Sequence, residues 1–172
     1  MPSEREQAFL TLVRENDARL RRICRVYAHD AESRKDLHQE MLLQLWRSLG
    51  AFRGASSAAT WVYRVALNTA LTYARRRGSL FHVPLDDEQL AIEHVASPLG
   101  TEDMAEADAR SAQLFAAIAQ LDAVDRMLVT MHLDERSYRE MADVLGISES
   151  NVGVKLHRIR KALGRMLTEE TV

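Results

Sequence analysis

The side chains best placed for chemistry in this chain are cations, hydroxyls and rings gathered on two stretches. In the first, ESNVGVKLHRIRKAL, Val152, Leu156, Ile159 and Leu163 recur at helical spacing and define an inward stripe. At about 100° per residue, Ser150, Val154, His157, Arg158 and Lys161 then point outward. Such a face offers hydroxyl, imidazole and cationic groups to phosphates and to base edges in a duplex groove. In the second, TWVYRVALNTALTYARRR, Trp61, Tyr63, Arg64, Asn68, Tyr73 and the run Arg75, Arg76 and Arg77 put ring faces and cations on one helix. Single-stranded nucleic acid is held by such groups, because bases stack on rings while arginines hold phosphates. A plainer role fits equally well, with Trp61 and Val65 in a core and the arginines answering the helix dipole.

Catalytic chemistry has no such foothold. The histidines at positions 29, 38, 82, 94, 132 and 157 form no HExxH or comparable ligand spacing. Neither a nucleophile motif nor a glycine-rich phosphate loop occurs. No catalytic residue, metal, cofactor or small-molecule substrate is expected. The single cysteine, Cys24, excludes a disulfide framework and reads as a buried structural thiol. No apolar run approaches the roughly 20 residues that span a membrane, and MPSEREQAF lacks a signal-peptide core. The expectation is a cytoplasmic protein with no membrane insertion.

The elements that must position these groups are helices. Seven glycines and three prolines in 172 residues, with Ala, Leu, Arg and Glu dominant, predict an all-α chain. Ser3 with Glu6 forms a capping box for a first helix running to about Ala28. Ser33 with Asp36 opens a second, which Gly50 ends, and a third spans about Ser57 to Arg77, stopped by Gly78. Another helix begins at Thr101 and runs to Gln120, and Asp122 caps the next. Ser137 with Glu140 is a further capping box, followed by Met141, Val144 and Leu145 on one face. Gly146 stands where a left-handed residue ends a helix, Ile147 tucks inward, and Ser148 caps the long basic helix. Helix, glycine turn, helix is a DNA-reading arrangement, although a solvated amphipathic hairpin would share the pattern. Gly153 lies inside that second helix at a cost of about 1 kcal/mol relative to alanine, which close approach of the backbone to DNA would explain.

Charge divides the chain into domains. Residues 1–80 hold 14 Lys and Arg against 8 Asp and Glu, residues 81–135 hold 2 against 12, and residues 136–172 hold 7 against 5. Basic ends around an acidic middle point to two nucleic-acid-facing parts and a segment that avoids nucleic acid. HVPLDDEQLAIEHVASPLG has no sustained period and reads as a linker, with a short helical turn at Asp87 to His94. The predicted architecture is two small helical domains, 1–78 and 106–172, joined by a flexible acidic linker over 79–105.

Taken together, the segments resemble the sigma-70 family of RNA polymerase sigma factors, in its small extracytoplasmic-function (ECF) group, over nearly the whole chain. DLHQEMLLQLWRSLGAF is similar to the region 2 helix that docks on core RNA polymerase. SSAATWVYRVALNTALTYARRR resembles the stretch that opens and holds the promoter −10 element. LDAVDRMLVTMHLDERSYREMADVLGISESNVGVKLHRIRKAL resembles region 4, which reads the −35 element. The resemblance implies that Asp36, Gln39 and Glu40 contact polymerase. It implies that Trp61, Arg64, Asn68, Arg75 and Arg76 hold single-stranded −10 DNA, and that Ser150, Val154, Lys155, His157 and Arg158 face the −35 duplex. It also implies an anti-sigma factor as a further partner, and an acidic linker able to mimic a phosphate backbone within polymerase. The family commonly carries an aromatic at the place of Ala58, Arg at Leu67 and Asp at Thr72. Two other readings compete: a free-standing helix-turn-helix regulator, which would bind duplex DNA tightly as a dimer, and a sigma mimic that captures an anti-sigma factor and supports no transcription.

Overall fold

A computed structural model describes residues 3–77 and 106–169, the side chains of 106–108 and 169 excepted. The expected linker over 79–105, its turn at Asp87 to His94, the Gly78 stop and the helix start at Thr101 lie outside the described residues. Among the described residues all regular structure is helical: α1 Glu4–Tyr27, α2 Ala31–Ser48, a 3-10 turn Leu49–Ala51, α3 Ala58–Arg76, α4 Glu106–Ala119, α5 Ala123–Leu133, α6 Tyr138–Leu145 and α7 Glu149–Glu169.

Local capping chemistry sets most of these boundaries. The Ser3 and Ser137 capping boxes both form, each serine accepting from the backbone N–H three residues on while that residue's glutamate accepts from the serine N–H. Ser57 caps α3 by accepting from the Thr60 N–H, and Asp122 caps α5 by accepting from the Asp125 N–H, in each case without a reciprocal bond. The expected start of α2 is corrected. Asp30, not Ser33, is its cap, accepting from the Ser33 N–H at 2.8 Å and from the Ser33 hydroxyl at 2.7 Å. Ser33 is buried in the first turn. The Ser33 hydroxyl is donated to Asp30 within the first turn, so the Asp30 carboxylate and not Ser33 answers the first free N–H of the helix.

α1, α2 and α3 pack together around Leu20, Ile23, Leu37, Met41, Leu45, Val62, Ala66 and Ala70, all under 2% exposed. Tyr73 reaches across this bundle and donates its hydroxyl to the Ser33 carbonyl at 3.2 Å. α4 to α7 form a second bundle around Ile118, Leu128, Met131, Met141, Val152, Leu156 and Ile159. The two bundles are not separate. α4 and α5 lie against α1, α6 lies against α3, and the buried apolar residues of both form one continuous cluster.

Candidate nucleic-acid interfaces

The helix-turn-helix forms as its residues dictate. Gly146 adopts φ +69° and ψ +33° and donates its N–H to the Ala142 carbonyl at 2.8 Å, closing α6. That backbone region is open to glycine without steric cost. Ile147 turns in against the core, and the Ser148 hydroxyl accepts from the Asn151 N–H at 3.1 Å to start α7. Val152, Leu156, Ile159 and Leu163 are buried, while Ser150, Val154, His157, Arg158 and Lys161 are exposed on the opposite side. Val154 is 49% exposed, so an aliphatic group stands in the middle of a polar, basic face. It is suited to a thymine methyl.

Two side chains near this face are otherwise engaged. Lys155 turns back onto Asp125 at 3.3 Å. Burial and the neighbouring charge of Asp122 raise the Asp125 carboxyl above its ordinary range, and the Lys155 ammonium offsets part of that rise. Arg160 meets His132 at 3.0 Å. The neighbour of Gly153 is the Tyr138 ring, whose Cε2 would lie 3.4 Å from an added Cβ. Glycine at this position therefore seats a tyrosine ring from α6.

α3 carries the second face. Its buried side is filled by Val62, Tyr63, Ala66, Leu67, Ala70, Tyr73 and Ala74. Leu67 is fully buried where the resembling family commonly has Arg, whereas Ala58 and Thr72 are exposed. Asn68, Thr69, Thr72 and Arg76 line an open groove shared with Glu40, Gln44 and Ser48 of α2. Trp61 is half-buried and packs on Phe52, their ring centroids 5.0 Å apart. Phe52 was not singled out from sequence; the signal available was an aromatic placed shortly before a helix cap. Arg75 is exposed, and Arg64 donates to the Asp143 carbonyl of α6 at 2.7 Å.

The third face belongs to α2. Asp36 and Gln39 are exposed, and with Glu40, Leu43, Gln44, Arg47 and Arg76 they line a shallow groove. Leu43 is 45% exposed, an apolar centre with a charged rim. Such an arrangement suits protein docking. Glu40 also pairs with Arg76 at 3.1 Å, and Asp36 lies 3.6 Å from Arg77. The acidic helix and the arginine run, distant in sequence, thus share one seam.

Sequence reasoning missed Asp134, in the turn after α5. Its Oδ2 accepts from the Tyr63 hydroxyl at 2.6 Å and from Arg19 Nε at 2.7 Å, and its Oδ1 accepts from Arg22. Burial disfavours the charged carboxylate, but the hydrogen bonds from Tyr63 and Arg19 with the arginine charges outweigh it and hold its pKa below the ordinary value. Burial and then the Asp134 contact push the Tyr63 phenol well above its usual range. Cys24 is buried, and burial pushes its thiol up to about 12, so the structural reading stands. No cluster of metal-ligating side chains occurs among the described residues. None of the described helices is long and apolar enough to cross a membrane.

Comparison with known proteins covers both bundles. Residues 12–80 match "Sigma-70 region 2" and residues 111–163 match "Sigma-70, region 4". The chain is 30% identical to the RNA polymerase sigma-H factor of Pseudomonas aeruginosa over 150 residues, covering 82% of this chain and 76% of that protein. It is 28% identical to the ECF RNA polymerase sigma factor SigM of Mycobacterium tuberculosis over 167 residues, covering 93% and 77%. Among solved structures, CnrH in complex with the cytosolic domain of CnrY shares the fold, with a TM-score of 0.68 at 20% identity over 95% of this chain and 89% of that one.

Proposed function

Because the chain belongs to the ECF group of the sigma-70 family, we propose that its three exposed faces divide promoter opening between them. As a sigma factor it is not an enzyme: it binds core RNA polymerase and promoter DNA and initiates transcription at specific promoters. The proposal concerns which residues do this. Residues 1–78 serve as region 2 and residues 106–172 as region 4, with 79–105 between them. Asp36, Gln39 and Glu40, around exposed Leu43, dock on polymerase. Trp61, Arg64, Asn68, Arg75 and Arg76 hold the melted −10 strand, and Ser150, Val154, His157 and Arg158 read the −35 major groove, with Lys155 at its edge. Cytoplasmic location follows from this role, since core polymerase and promoters reside there. CnrH is seen with a bound cytosolic domain of CnrY, and a comparable anti-sigma protein is proposed here as antagonist.

The observation that carries this reading is the presence of two nucleic-acid faces of different chemistry on one chain. The α7 face is a narrow strip of short polar, aliphatic and cationic groups that fits a duplex groove. The α3 groove offers amide, hydroxyl and guanidinium groups, and half-buried Trp61 stands on the same helix, a set that fits unpaired bases. A dimeric regulator would need only the first.

Run-off transcription with purified core polymerase on a promoter library tests the assignment. New transcripts are expected with the wild-type chain. Arg64→Ala and Asn68→Ala should each lose roughly tenfold in open-complex formation, about 1.4 kcal/mol, while −35 duplex binding holds. Arg158→Ala should instead weaken −35 binding and lower its salt slope by about one. Transcription unchanged by all three substitutions would overturn the assignment.

A further inference from the structure

Lys155 stands one position after exposed Val154, about 100° further round α7, where its stem could carry an ammonium to a phosphate beside the groove. The stem turns the other way. Its Nζ lies 3.3 Å from Asp125 Oδ1 of α5, and the two side chains are only 22% and 15% exposed. Arg158 and Lys161, by contrast, stand exposed on the outward side of the same helix.

Asp125 has physical reason to keep this partner. It sits in the first turn of α5 and donates its N–H to the Asp122 carboxylate at 2.8 Å, so two acids share one helix start. Burial and the Asp122 charge both raise the Asp125 carboxyl, and the Lys155 ammonium opposes them, with a smaller pull from Arg158. An ammonium that left for DNA would strand a largely buried carboxylate beside a second acid, which is costly when the lost partner is not replaced. Its gain would be a single phosphate contact, worth the release of about one counterion, or at most about eightfold in affinity near 0.1 M salt. The balance favours the acid.

We propose that Asp125 is a positioning residue for the −35 contact: by holding Lys155 against α5 it withholds a cation from the DNA backbone. The α7 strip is then left to its base-reading groups and its outward cations. Phosphate contacts add affinity on any duplex, whereas base-edge contacts add it only on the right sequence. Asp125 therefore sets how tightly α7 holds a duplex and not which sequence it prefers. The inference rests on the assignment of α7 as the −35 face.

The test uses holoenzyme assembled from core polymerase and the full chain. It is bound to a duplex fragment carrying a −35 element selected from the promoter library, and to one with that element scrambled. Affinity is measured between about 50 and 200 mM salt. Asp125→Asn keeps the size of the side chain and removes its charge. It should tighten binding to both fragments, and the gain should shrink about threefold across that salt range, a log–log slope of about −0.9 for one added phosphate contact. In a Lys155→Met background the same substitution should bring no gain, and Asp125→Glu, which still reaches the ammonium, should restore the wild-type slope. Circular dichroism checks that each variant keeps its helices. If Asp125→Asn does not fold, Lys155→Met alone decides: it should lower the slope by well under half of what Arg158→Ala does. A full unit lost on Lys155→Met would place the lysine on a phosphate already and overturn the proposal. Weaker binding by folded Asp125→Asn, as lost support of α7 would give, also overturns it, as does a gain that persists without Lys155. Arg158→Ala separates this from the underlying reading. A wild-type slope there removes α7 as the −35 face and the proposal with it, whereas the expected drop beside an inert Asp125→Asn removes the withholding alone.

Discussion

Gly153 shows how a residue's meaning depends on its neighbours. Within α7 it lowers helix propensity, and close approach to DNA was one explanation for it. The structure supplies another in the Tyr138 ring, which packs where a side chain would begin. At 3.4 Å an alanine Cβ would reach ordinary contact with the edge of a partly exposed ring. Gly153→Ala is therefore expected to stabilise the chain by about 0.5–1 kcal/mol, read as a raised midpoint in urea unfolding. A lowered midpoint would mean that the Tyr138 ring cannot yield. Leu67 makes the opposite point: full burial explains an aliphatic residue where the family commonly carries arginine.

At the scale of elements, the recognition helix depends on the turn before it. The Ser137 capping box starts α6, and Gly146 stops it after eight residues, so that α7 leaves at the angle its buried stripe needs. Ser137→Ala should cost about 1 kcal/mol, and any branched residue at Gly146 about 1–2 kcal/mol for a left-handed backbone. Thermal unfolding would report both. Loss of −35 binding beyond the loss of folded protein would show that the turn also sets helix orientation. α3 carries a double load, because one side fills the core and the other offers Asn68 and Arg76 to a groove. Substitutions on its inner side should thus reduce stability before they alter promoter choice.

Over the whole molecule, the contact between the bundles links pH to stability. The groups facing Asp134 are Arg19 and Arg22 from α1, Tyr63 from α3, and Arg136 from its own turn, which also meets Glu140 of α6. The folded state lowers the Asp134 pKa, so its contribution to stability is fully present above the ordinary carboxylate value near 4. It is lost as pH falls through the lower folded-state value. The midpoint of urea unfolding should hold from neutral pH to about pH 5 and fall below about pH 4. Asp134→Asn should reduce that fall, which separates it from protonation of Glu140, whose pKa is also lowered, chiefly by the Ser137 backbone N–H. An acid fall identical in wild type and Asp134→Asn would exclude Asp134 as its origin.

Most of the fold was legible in the sequence because its signals are local. Capping boxes, a turn glycine and apolar spacing act within four residues, and they fixed the helix-turn-helix, the inward stripe of α7 and most helix starts. Where Asp30 displaced Ser33 as the cap of α2, two capping residues three positions apart each matched a helix start, and pattern alone could not choose between them. The candidate faces were legible as residue types, but their engagements were not. Lys155 turns to Asp125, Arg76 to Glu40 and Arg64 to a carbonyl 79 residues away. Asp134 carried no motif, because its importance comes from donors 112 and 115 residues earlier on α1 and 71 earlier on α3. The sequence by itself determined a two-bundle helical chain with DNA-reading chemistry, since short-range hydrogen bonding and periodic burial suffice for that. Only the tertiary structure decided that the bundles close on each other. Charge pairing between distant segments depends on where packed helices bring their ends, which no local pattern records.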